Sequence, residues 1–335
     1  MGAMVIRNRL TPAVADVRRA VRDSLEALNL EPDSRVLVAC SGGPDSMALA
    51  AALIFEGPKL GLRVTAVVVD HGLQKASSEV AQSTAAKLEE LGADPVVIET
   101  ITVAETGNGP EAAARTARYE ALERARKLVS AEVIFLGHNL EDQAETVLLG
   151  LTRGSGLRSI AGMQDFDKNK KLARPLLGIK RDVLLQACLD QDIEAWQDPH
   201  NKDPKFTRVR IRQLLDTMEA ELGPGFASAI ARTAELASES DDVLLSMARE
   251  LVAEATVSSS SNETKLSIAS LSGVLPGLRR RALFETVIAA GAKTVSRSQV
   301  IGIDELITNW HGQNKLVLSG ITVERVSQEL VFKSV

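Results

Sequence analysis

Six consecutive residues near the start of the chain have the types and spacing of an anion-binding turn: Ser41, Gly42, Gly43, Pro44, Asp45 and Ser46. The segment before them, 35–40, is apolar and β-branched, which predicts a buried parallel strand. The segment after them, 47–54, consists of good helix formers. Two glycines allow backbone N–H groups to converge on one point, and the helix N-terminus adds partial positive charge. The turn therefore predicts a cradle for a phosphate or a pyrophosphate.

A carboxylate inside this turn shapes the expected chemistry. Asp45 would repel a phosphate unless a cation such as Mg²⁺ lies between them. The hexapeptide has neither the Gly-Lys-Ser/Thr ending of a Walker A loop nor the Gly-x-Gly-x-x-Gly spacing of a dinucleotide fingerprint. It resembles the Ser-Gly-Gly-x-Asp-Ser loop of the ATP pyrophosphatase (PP-loop) superfamily, whose members cleave ATP between the α and β phosphates. The alternative interpretation is a Gly-Pro turn that only caps a helix.

A second group of polar residues follows another predicted strand, 132–136. Gly137 permits a turn and the close approach of a ligand. Asp142 lies in the first turn of the next predicted helix, where the helix dipole favours its ionised form. Glu145, three residues further on, shares that side of the helix. The pattern predicts two carboxylates beside the anion-binding turn, and ordinary capping of a helix by acids is the alternative.

Strand and helix patterns alternate through the first 215 residues. Predicted strands lie at 35–40, 63–69, 94–100, 132–136 and 193–196, with helices between them. We expect an α/β fold with a doubly wound, mostly parallel five-stranded sheet. Because ligands bind at the carboxyl ends of such strands, the turn at Ser41–Ser46 should lie beside Asp70–Leu73, and His71 is a candidate ligand contact.

The alternation ends near residue 215, and the rest of the chain has a different pattern. A long helical stretch at 226–256 precedes a serine-rich, linker-like patch at 258–261. A hairpin is predicted at 315–318 and 321–326, with a third strand at 330–333. We expect three regions: a catalytic domain at 1–215, a helical linker region at 216–262 and a small α+β domain at 263–335.

Composition limits the classes of partner. The net charge of −5 and the 3% aromatic content argue against a generally basic nucleic-acid binder and against a base-stacking platform. Local basic clusters at 168–171, 205–212 and 279–281 keep polyanion binding open. Within the second cluster, arginines two residues apart suit one face of an extended segment, and a solvated charged start of a helix is the alternative: Arg208, Arg210 and Arg212.

Cysteine use and hydropathy bear on the compartment. Cys40 and Cys188 are isolated within apolar stretches, which is typical of core residues in a reducing cytoplasm. No apolar run approaches the ~18–20 residues of a membrane span, and the first ten residues lack the apolar core of a signal peptide. We therefore expect a cytoplasmic protein without membrane contact.

An arginine and the chain's single tyrosine lie four residues apart on the helix predicted to begin at Pro110. At this spacing Arg115 and Tyr119 share one face of the helix. A face with this pair favours substrate binding, and the alternative is a surface cation lying along an aromatic ring.

Taken together, these blocks resemble the tRNA(Ile)-lysidine synthetase family. The resemblance rests on Ser41–Ser46, Asp70–Leu73, Arg115 with Arg118–Glu120, Gly137–His138 with Asp142–Thr146, Arg153–Gly154, Arg174–Leu176 and Asp198–Arg212. It is strong up to residue 215 and looser beyond, and it is to a short form with one C-terminal domain. The family signature Arg-Asn-x-Ile-Arg stands here as 208–212 with Val209 in place of the asparagine.

The resemblance implies a two-step ligation that uses ATP and Mg²⁺. ATP adenylates the C2 oxygen of the wobble cytidine in tRNA(Ile) with a CAU anticodon, and pyrophosphate leaves. The ε-amine of free L-lysine then attacks C2 and expels AMP. ATP contacts are implied for Ser41–Ser46, His71 and Gly137, and tRNA contacts are implied for Arg208, Arg210 and Arg212.

Within this reaction the acids have the catalytic roles. Asp45 and Asp142 are the candidate catalytic residues and candidate Mg²⁺ ligands, and Asp142 is alternatively the base that deprotonates lysine. Glu145 is a candidate for holding one end of lysine, and Arg115 for binding its carboxylate or a phosphate. The sequence leaves the oligomeric state open, a homodimer included.

Two other functions compete with this one. A tRNA thiolase belongs to the same superfamily but generally needs catalytic or cluster-binding cysteines, whereas Cys40 and Cys188 lie in a predicted strand and helix. A non-catalytic module that senses ATP would bind the nucleotide without releasing pyrophosphate. The pair of acids at the phosphate end argues against it, because binding alone does not require them.

Overall fold

The computed structural model describes residues 10–70, 77–101, 110–152, 156–196, 205 and 207–335. The chain divides into two compact units, one ending at Glu235 and the other beginning at Leu236. Several residues named above lie outside the described residues: His71 to Leu73, Arg153, Gly154 and the block 198–204. Within the described residues, no helix is both long enough and apolar enough to span a bilayer.

The first unit alternates strands and helices as predicted. Its strands are β1 (Arg35–Cys40), β2 (Arg63–Asp70), β3 (Val96–Thr100), β4 (Ala131–Leu136), β5 (Phe166–Asp167) and β6 (Leu172–Ala173). Its helices are α1 (Pro12–Leu28), α2 (Pro44–Glu56), α3 (Ser77–Leu91), α4 (Pro110–Leu128), α5 (Leu140–Thr152), α6 (Leu157–Ile160), α7 (Arg181–Leu189) and α8 (Thr207–Leu222).

The sheet has the order β3-β2-β1-β4-β6-β5. All neighbouring pairs are parallel except β5 with β6. The chain leaves β1 towards β2 on one side, whereas β4 pairs with β1 on the other, so the strand order reverses between β1 and β4. In such sheets the crevice at this reversal, outside the carboxyl ends of the two strands, is where ligands bind.

The apolar character of β1 follows from helices on both faces of the sheet. Val36, Val38 and Cys40 belong to a core shared with α1, α2, α3 and α7. Leu37 and Ala39 point to the opposite face and pack in a core with α4. Successive residues of a strand alternate between faces, and here both faces are buried. The doubly wound, mostly parallel α/β fold is confirmed.

The predicted fifth strand is wrong. Residues 193–196 form no strand; the backbone N–H of Trp196 instead donates to the carbonyl of Gly42, at 2.8 Å. The place beside β4 is taken by β6, and β5 extends the sheet to six strands. A short apolar run does not by itself distinguish a strand from other buried segments, and two-residue strands are too short to produce a periodic pattern.

The second unit is a small α+β fold. Helix α9 (Phe226–Ala255) leads into it, and its further elements are β7 (Thr256–Ser259), β8 (Glu263–Ser267), α10 (Ile268–Ser272), α11 (Pro276–Ala289), α12 (Arg297–Thr308), β9 (Leu316–Leu318), β10 (Ile321–Val326) and β11 (Glu329–Ser334). The sheet is antiparallel with order β7-β8-β11-β10-β9. The predicted hairpin and third strand are confirmed, but the linker-like interpretation of 258–261 is wrong, because these residues belong to the β7–β8 hairpin.

Acids within the same unit neutralise the basic cluster at 279–281. Arg279, which is buried, and Arg280 both bind the carboxylate of Asp304, and Arg281 binds Asp241. Asp304 is 2% exposed. These three arginines therefore form ion pairs within the unit and do not present a free cationic patch that could bind a polyanion.

Replacing the acid that binds this cluster should strongly destabilise the second unit. Asp304→Asn leaves Arg279 buried without its counter-charge, and we expect a loss of about 3–5 kcal/mol in the free energy of unfolding. Urea titration followed by Trp310 fluorescence in a Trp196→Phe background reports on this unit. Arg280→Gln is the control, with an expected loss of at most about 1 kcal/mol. A loss below about 1 kcal/mol for Asp304→Asn would contradict the assigned role.

Candidate active site

The turn between β1 and α2 is held by its own side chains. The hydroxyl of Ser46 donates to the carbonyl of Gly43 at 2.9 Å and accepts from the backbone N–H of Ser41 at 3.1 Å. Gly42 has φ +81°, and a Cβ there would lie 2.6 Å from Thr84 Oγ1. Because both conformation and space require glycine at this position, the turn is rigidly shaped before any ligand binds.

A carboxylate from each side of the strand-order reversal reaches the crevice. Asp45 lies in the first turn of α2 after β1, and Asp142 lies in the first turn of α5 after β4. The loop after β4 passes very close to the turn after β1, since a Cβ on Gly137 would lie 3.0 Å from the carbonyl oxygen of Asp45. Gly137 therefore serves the approach of the two loops, and the fold places Asp142 beside the turn, where the sequence pattern predicts it.

Asn139 fixes the orientation of both carboxylates. Its side-chain amide donates to Asp45 Oδ2 at 3.0 Å, and its backbone N–H donates to Asp142 Oδ2 at 3.1 Å. Its side-chain oxygen accepts from the backbone N–H of Asp142 at 2.9 Å. The last two bonds are a reciprocal cap of helix α5, and the first extends it to α2. Asn139 is fully buried.

Each carboxylate is thereby fixed by one oxygen. The other oxygen of Asp45, Oδ1, is buried and has no hydrogen-bond partner among the described residues. Burial raises the pKa of Asp45 to about 6, although the nearby Arg181 acts in the opposite direction. An orphaned, buried carboxylate oxygen beside a second carboxylate fits a divalent cation. Mg²⁺ commonly takes one or two carboxylates from the protein and completes its shell with phosphates and water.

Glu145 and Arg212 form a buried ion pair behind Asp142. Glu145 is fully buried, and its Oε1 accepts from Arg212 Nε at 2.8 Å. A second nitrogen of the same guanidinium lies 3.8 Å from Asp142 Oδ1. The fold thus brings Glu145 to the site as predicted, but the carboxylate that was expected to hold lysine already binds an arginine of the chain itself.

The three arginines at 208–212 lie on a helix, and the prediction of an extended segment is wrong. Val209 and Ile211 are buried in the first turns of α8, which holds this segment helical. Helical geometry spreads the arginines over different directions, as their spacing requires. Arg212 faces the carboxylates, Arg208 is half-buried, and Arg210 is exposed and donates to the carbonyl of Lys205.

Arg115 and Tyr119 contact one another at the surface. The guanidinium lies 5.2 Å from the ring centroid and 3.4 Å from the hydroxyl, and Arg115 is exposed. This geometry agrees with the alternative of a surface cation along an aromatic ring. The fold does not bring Arg115 into contact with Asp45 or Asp142, although its charge does influence His138.

His138 lies at the end of β4 in a positive environment. Burial lowers its pKa well below the usual value, and the charges of Arg118 and Arg174 lower it further. Its Nδ1 is buried without a partner among the described residues. The imidazole is therefore neutral at physiological pH.

Two residues of the site were not indicated by the sequence pattern. Asn139 stands three positions before Asp142, and this Asn-x-x-Asp spacing at a helix start is a capping signal that could have revealed it. Arg181 is distant from both acids in the sequence. In the fold its guanidinium lies 3.8 Å from Asp45 and 3.6 Å from Asp142. No local pattern indicates an ion pair formed only by folding.

Comparison with known proteins identifies the family of the chain. A family model described as a PP-loop domain matches residues 16–218. The tRNA(Ile)-lysidine synthase of Leifsonia xyli is 45% identical over 304 residues, which are 90% of this chain and 91% of the relative. Those of Thermobifida fusca and Streptomyces coelicolor are 45% and 46% identical and cover 92% and 87% of this chain, and 94% and 82% of the relatives. The chain belongs to the tRNA(Ile)-lysidine synthase family.

One solved structure supports the fold of this lysidine synthase family member. The U34-tRNA thiolase NcsA from Methanococcus maripaludis superposes with a TM-score of 0.56 at 22% identity, and the match covers 68% of this chain and 79% of the thiolase. That likeness extends to the fold alone. In this chain Cys40 and Cys188 are both buried in the core, and burial raises the pKa of Cys188 to about 12. A thiol in this state is a poor nucleophile and a poor cluster ligand.

Asn139→Ala tests the orientation of the acids in this family member. Without the amide, Asp45 loses its only direct hydrogen bond among the described residues, and we expect ATP-dependent turnover to fall about 10²-fold. Asn139→Ser is the matched control, because its hydroxyl can still cap α5 but cannot reach across to Asp45. Steady-state release of pyrophosphate is the measurement. If Asn139→Ser turns over at the wild-type rate, then capping of α5 is sufficient for activity and the hydrogen bond from Asn139 to Asp45 is not required.

Proposed function

We propose that this chain joins free L-lysine to C2 of the wobble cytidine in tRNA(Ile) with a CAU anticodon, and that it consumes ATP and releases AMP and pyrophosphate. The observation that carries the proposal is the Asp45–Asp142 pair, held by Asn139 in the crevice next to the PP-loop. Family membership supplies the substrate class, and the site supplies the groups that the chemistry needs.

In the first step, the C2 oxygen of cytidine attacks the α-phosphorus of ATP, and the bond to the β-phosphate oxygen breaks. The backbone N–H groups of Ser41 to Ser46 and the N-terminus of α2 would hold the leaving pyrophosphate. Gly137 and His138 lie at the end of the neighbouring strand and, with His71, complete the proposed nucleotide contacts. Asp45 and Asp142 would hold Mg²⁺, which supplies neutralisation of charge on the phosphates.

In the second step, the ε-amine of lysine attacks C2, the C2–O bond breaks, and AMP leaves. The amine arrives protonated and must first lose a proton, because an ammonium has no lone pair. Asp142 is the proposed acceptor of that proton or, alternatively, acts only as a metal ligand. Glu145 supports this region through Arg212, which reaches towards Asp142.

Cations on the neighbouring helices are proposed to bind the RNA. Arg208 and Arg210 on α8 and Arg115 on α4 carry positive charge outside the carboxylate pair. Such side chains would bind phosphates of the anticodon stem and loop. The cytidine must be unstacked for attack at C2, which is feasible in a single-stranded loop.

Pyrophosphate release tests the proposal. We expect release from ATP only when tRNA(Ile) with CAU is present, followed by transfer of label from radioactive lysine to the tRNA. A transcript with uridine at the wobble position is the control and should give neither signal. Release without incorporation of lysine would retain the adenylation step and refute lysine as the nucleophile. ATP binding without release under any condition would support the ATP-sensing alternative.

A further inference from the structure

A guanidinium lies where the two candidate metal ligands face one another. Arg181 is the first residue of α7. Its Nε is 3.8 Å from Asp45 Oδ2, and one terminal nitrogen is 3.6 Å from Asp142 Oδ1. Its backbone N–H donates to Glu141 Oε2 at 3.0 Å, which fixes the start of the helix beside the PP-loop crevice. The side chain therefore bridges the acids of both strands.

The guanidinium is held in place by charge and makes no hydrogen bond to either acid. Both distances exceed the range of a hydrogen bond, and the side chain is 32% exposed. Arg212 offers the contrast, because it binds the fully buried Glu145 at 2.8 Å. Arg212 is thus fixed by a hydrogen bond to a buried carboxylate, whereas Arg181 makes only longer-range charge contacts with Asp45 and Asp142.

We infer that Arg181 is a tethered counter-cation that competes with the divalent metal for the Asp45–Asp142 pair and thereby sets the metal affinity of the site. This inference rests on the proposed role of the two acids in binding Mg²⁺. A metal between the carboxylates and a guanidinium at 3.6–3.8 Å from them would repel one another, so the arginine must move when the metal binds.

The competition has a function in an enzyme of this class. A counter-cation keeps the two carboxylates from repelling each other and also weakens their affinity for free Mg²⁺. Metal would then enter mainly together with the phosphates of ATP, whose negative charge adds to that of the acids. Arg181 is accordingly a positioning residue, since it acts through the two carboxylates.

Binding of Mn²⁺ to the full-length protein without nucleotide tests the inference. Mn²⁺ is titrated and the free ion is measured by electron paramagnetic resonance. We expect Arg181→Gln to bind Mn²⁺ at least about tenfold more tightly than wild type, because the competing charge is gone. Arg181→Lys, which keeps the charge, should stay near wild type. Lys180→Gln removes an exposed charge from the adjacent position and should change the affinity less than about twofold.

The outcomes separate the inference from the proposed function. Equal or weaker binding by Arg181→Gln, or equal tightening by Lys180→Gln, would overturn the inference, and Arg181→Ala repeats the test if the glutamine variant does not fold. Asp142→Asn tests the metal site itself, and unchanged binding there would refute the proposed ligands. Binding in Arg181→Gln but not in wild type would support the inference, and binding in neither would refute both.

Discussion

Asp45→Asn should abolish turnover and at the same time stabilise the ligand-free protein. The ionised carboxylate of Asp45 is largely buried, with a side chain 24% exposed, and one of its oxygens has no partner among the described residues. An amide at this position can still accept the hydrogen bond from Asn139 and carries no charge to desolvate. The proposed Mg²⁺, however, would lose one of its two carboxylate ligands, and we expect turnover to fall by at least about 10³-fold.

The size of the stabilisation follows from the pKa. Burial raises the pKa of Asp45 from 3.8 to about 6. At 1.36 kcal/mol for each unit of pKa, the charged group destabilises the folded state by at most about 3 kcal/mol, and we expect a gain of about 1–3 kcal/mol in the variant. Unfolding in urea at pH 7.5 with EDTA is the measurement. Asp33→Asn, at a side chain 78% exposed, is the control and should change little.

The stabilisation should depend on pH in a defined direction. An acid whose pKa is higher in the folded state binds its proton more tightly there, so folded wild-type protein loses stability as pH rises through the interval from about 4 to about 6. The difference between variant and wild type should therefore be close to zero at pH 4 and reach its full size above pH 6.5. If Asp45→Asn is no more stable than wild type at pH 7.5, then burial of the ionised Asp45 carboxylate does not destabilise the folded protein, and the prediction is wrong.

The strand–turn–helix around Ser41–Ser46 could be predicted because each of its determinants is local. The apolar run of β1 reflects burial on both faces, and Gly42 meets a requirement for positive φ. The place of Asp142 beside this turn could also be predicted, because residues that follow parallel strands gather at one edge of a sheet, and the structure pairs β4 with β1. These inferences depend on periodicity and on one topological rule, both of which a sequence contains.

The remaining features depend on tertiary contacts that no local pattern encodes. The sequence indicates no role for Arg181 and implies a tRNA contact for Arg212, and only the fold places both guanidinium groups near the acids. The sequence predicts a linker for the serine-rich residues before β8, but Ser258 and Ser259 pair with Lys265 and Thr264 of that strand. Propensity is a weak determinant of a strand whose partner strand lies alongside it.

Arg212→Gln should strongly destabilise the first unit, because it leaves the carboxylate of Glu145 buried without a counter-charge. We expect a loss of about 3–5 kcal/mol at pH 7.5. Glu145→Gln should change the stability by no more than about 1 kcal/mol, because burial already raises the pKa of the Glu145 carboxyl and Arg212 retains Asp142 as a neighbour. The double variant should recover to within about 1 kcal/mol of wild type, because no unpaired buried charge remains.

The pH dependence of the stability of Arg212→Gln shows whether the unpaired buried group is the carboxylate of Glu145. Burial raises the pKa of Glu145 and Arg212 holds it down, so removal of the arginine lets that pKa climb. Glu145 then takes up a proton, and the loss of stability in Arg212→Gln should shrink as pH falls from 8 to 5. Arg210→Gln, on the same helix but exposed, should show neither the loss nor its pH dependence.

Turnover separates the structural role of this ion pair from its role beside the reacting groups. The double variant restores packing but leaves Asp142 without the cation that lies 3.8 Å from its Oδ1. We therefore expect its stability to recover while its tRNA-dependent release of pyrophosphate stays about 10–100-fold below wild type. If the double variant recovers both stability and pyrophosphate release, then the Glu145–Arg212 ion pair contributes to folding only. Recovery of stability without activity would show that a buried ion pair, usually a weak contributor to stability, is kept here for the orientation of a carboxylate.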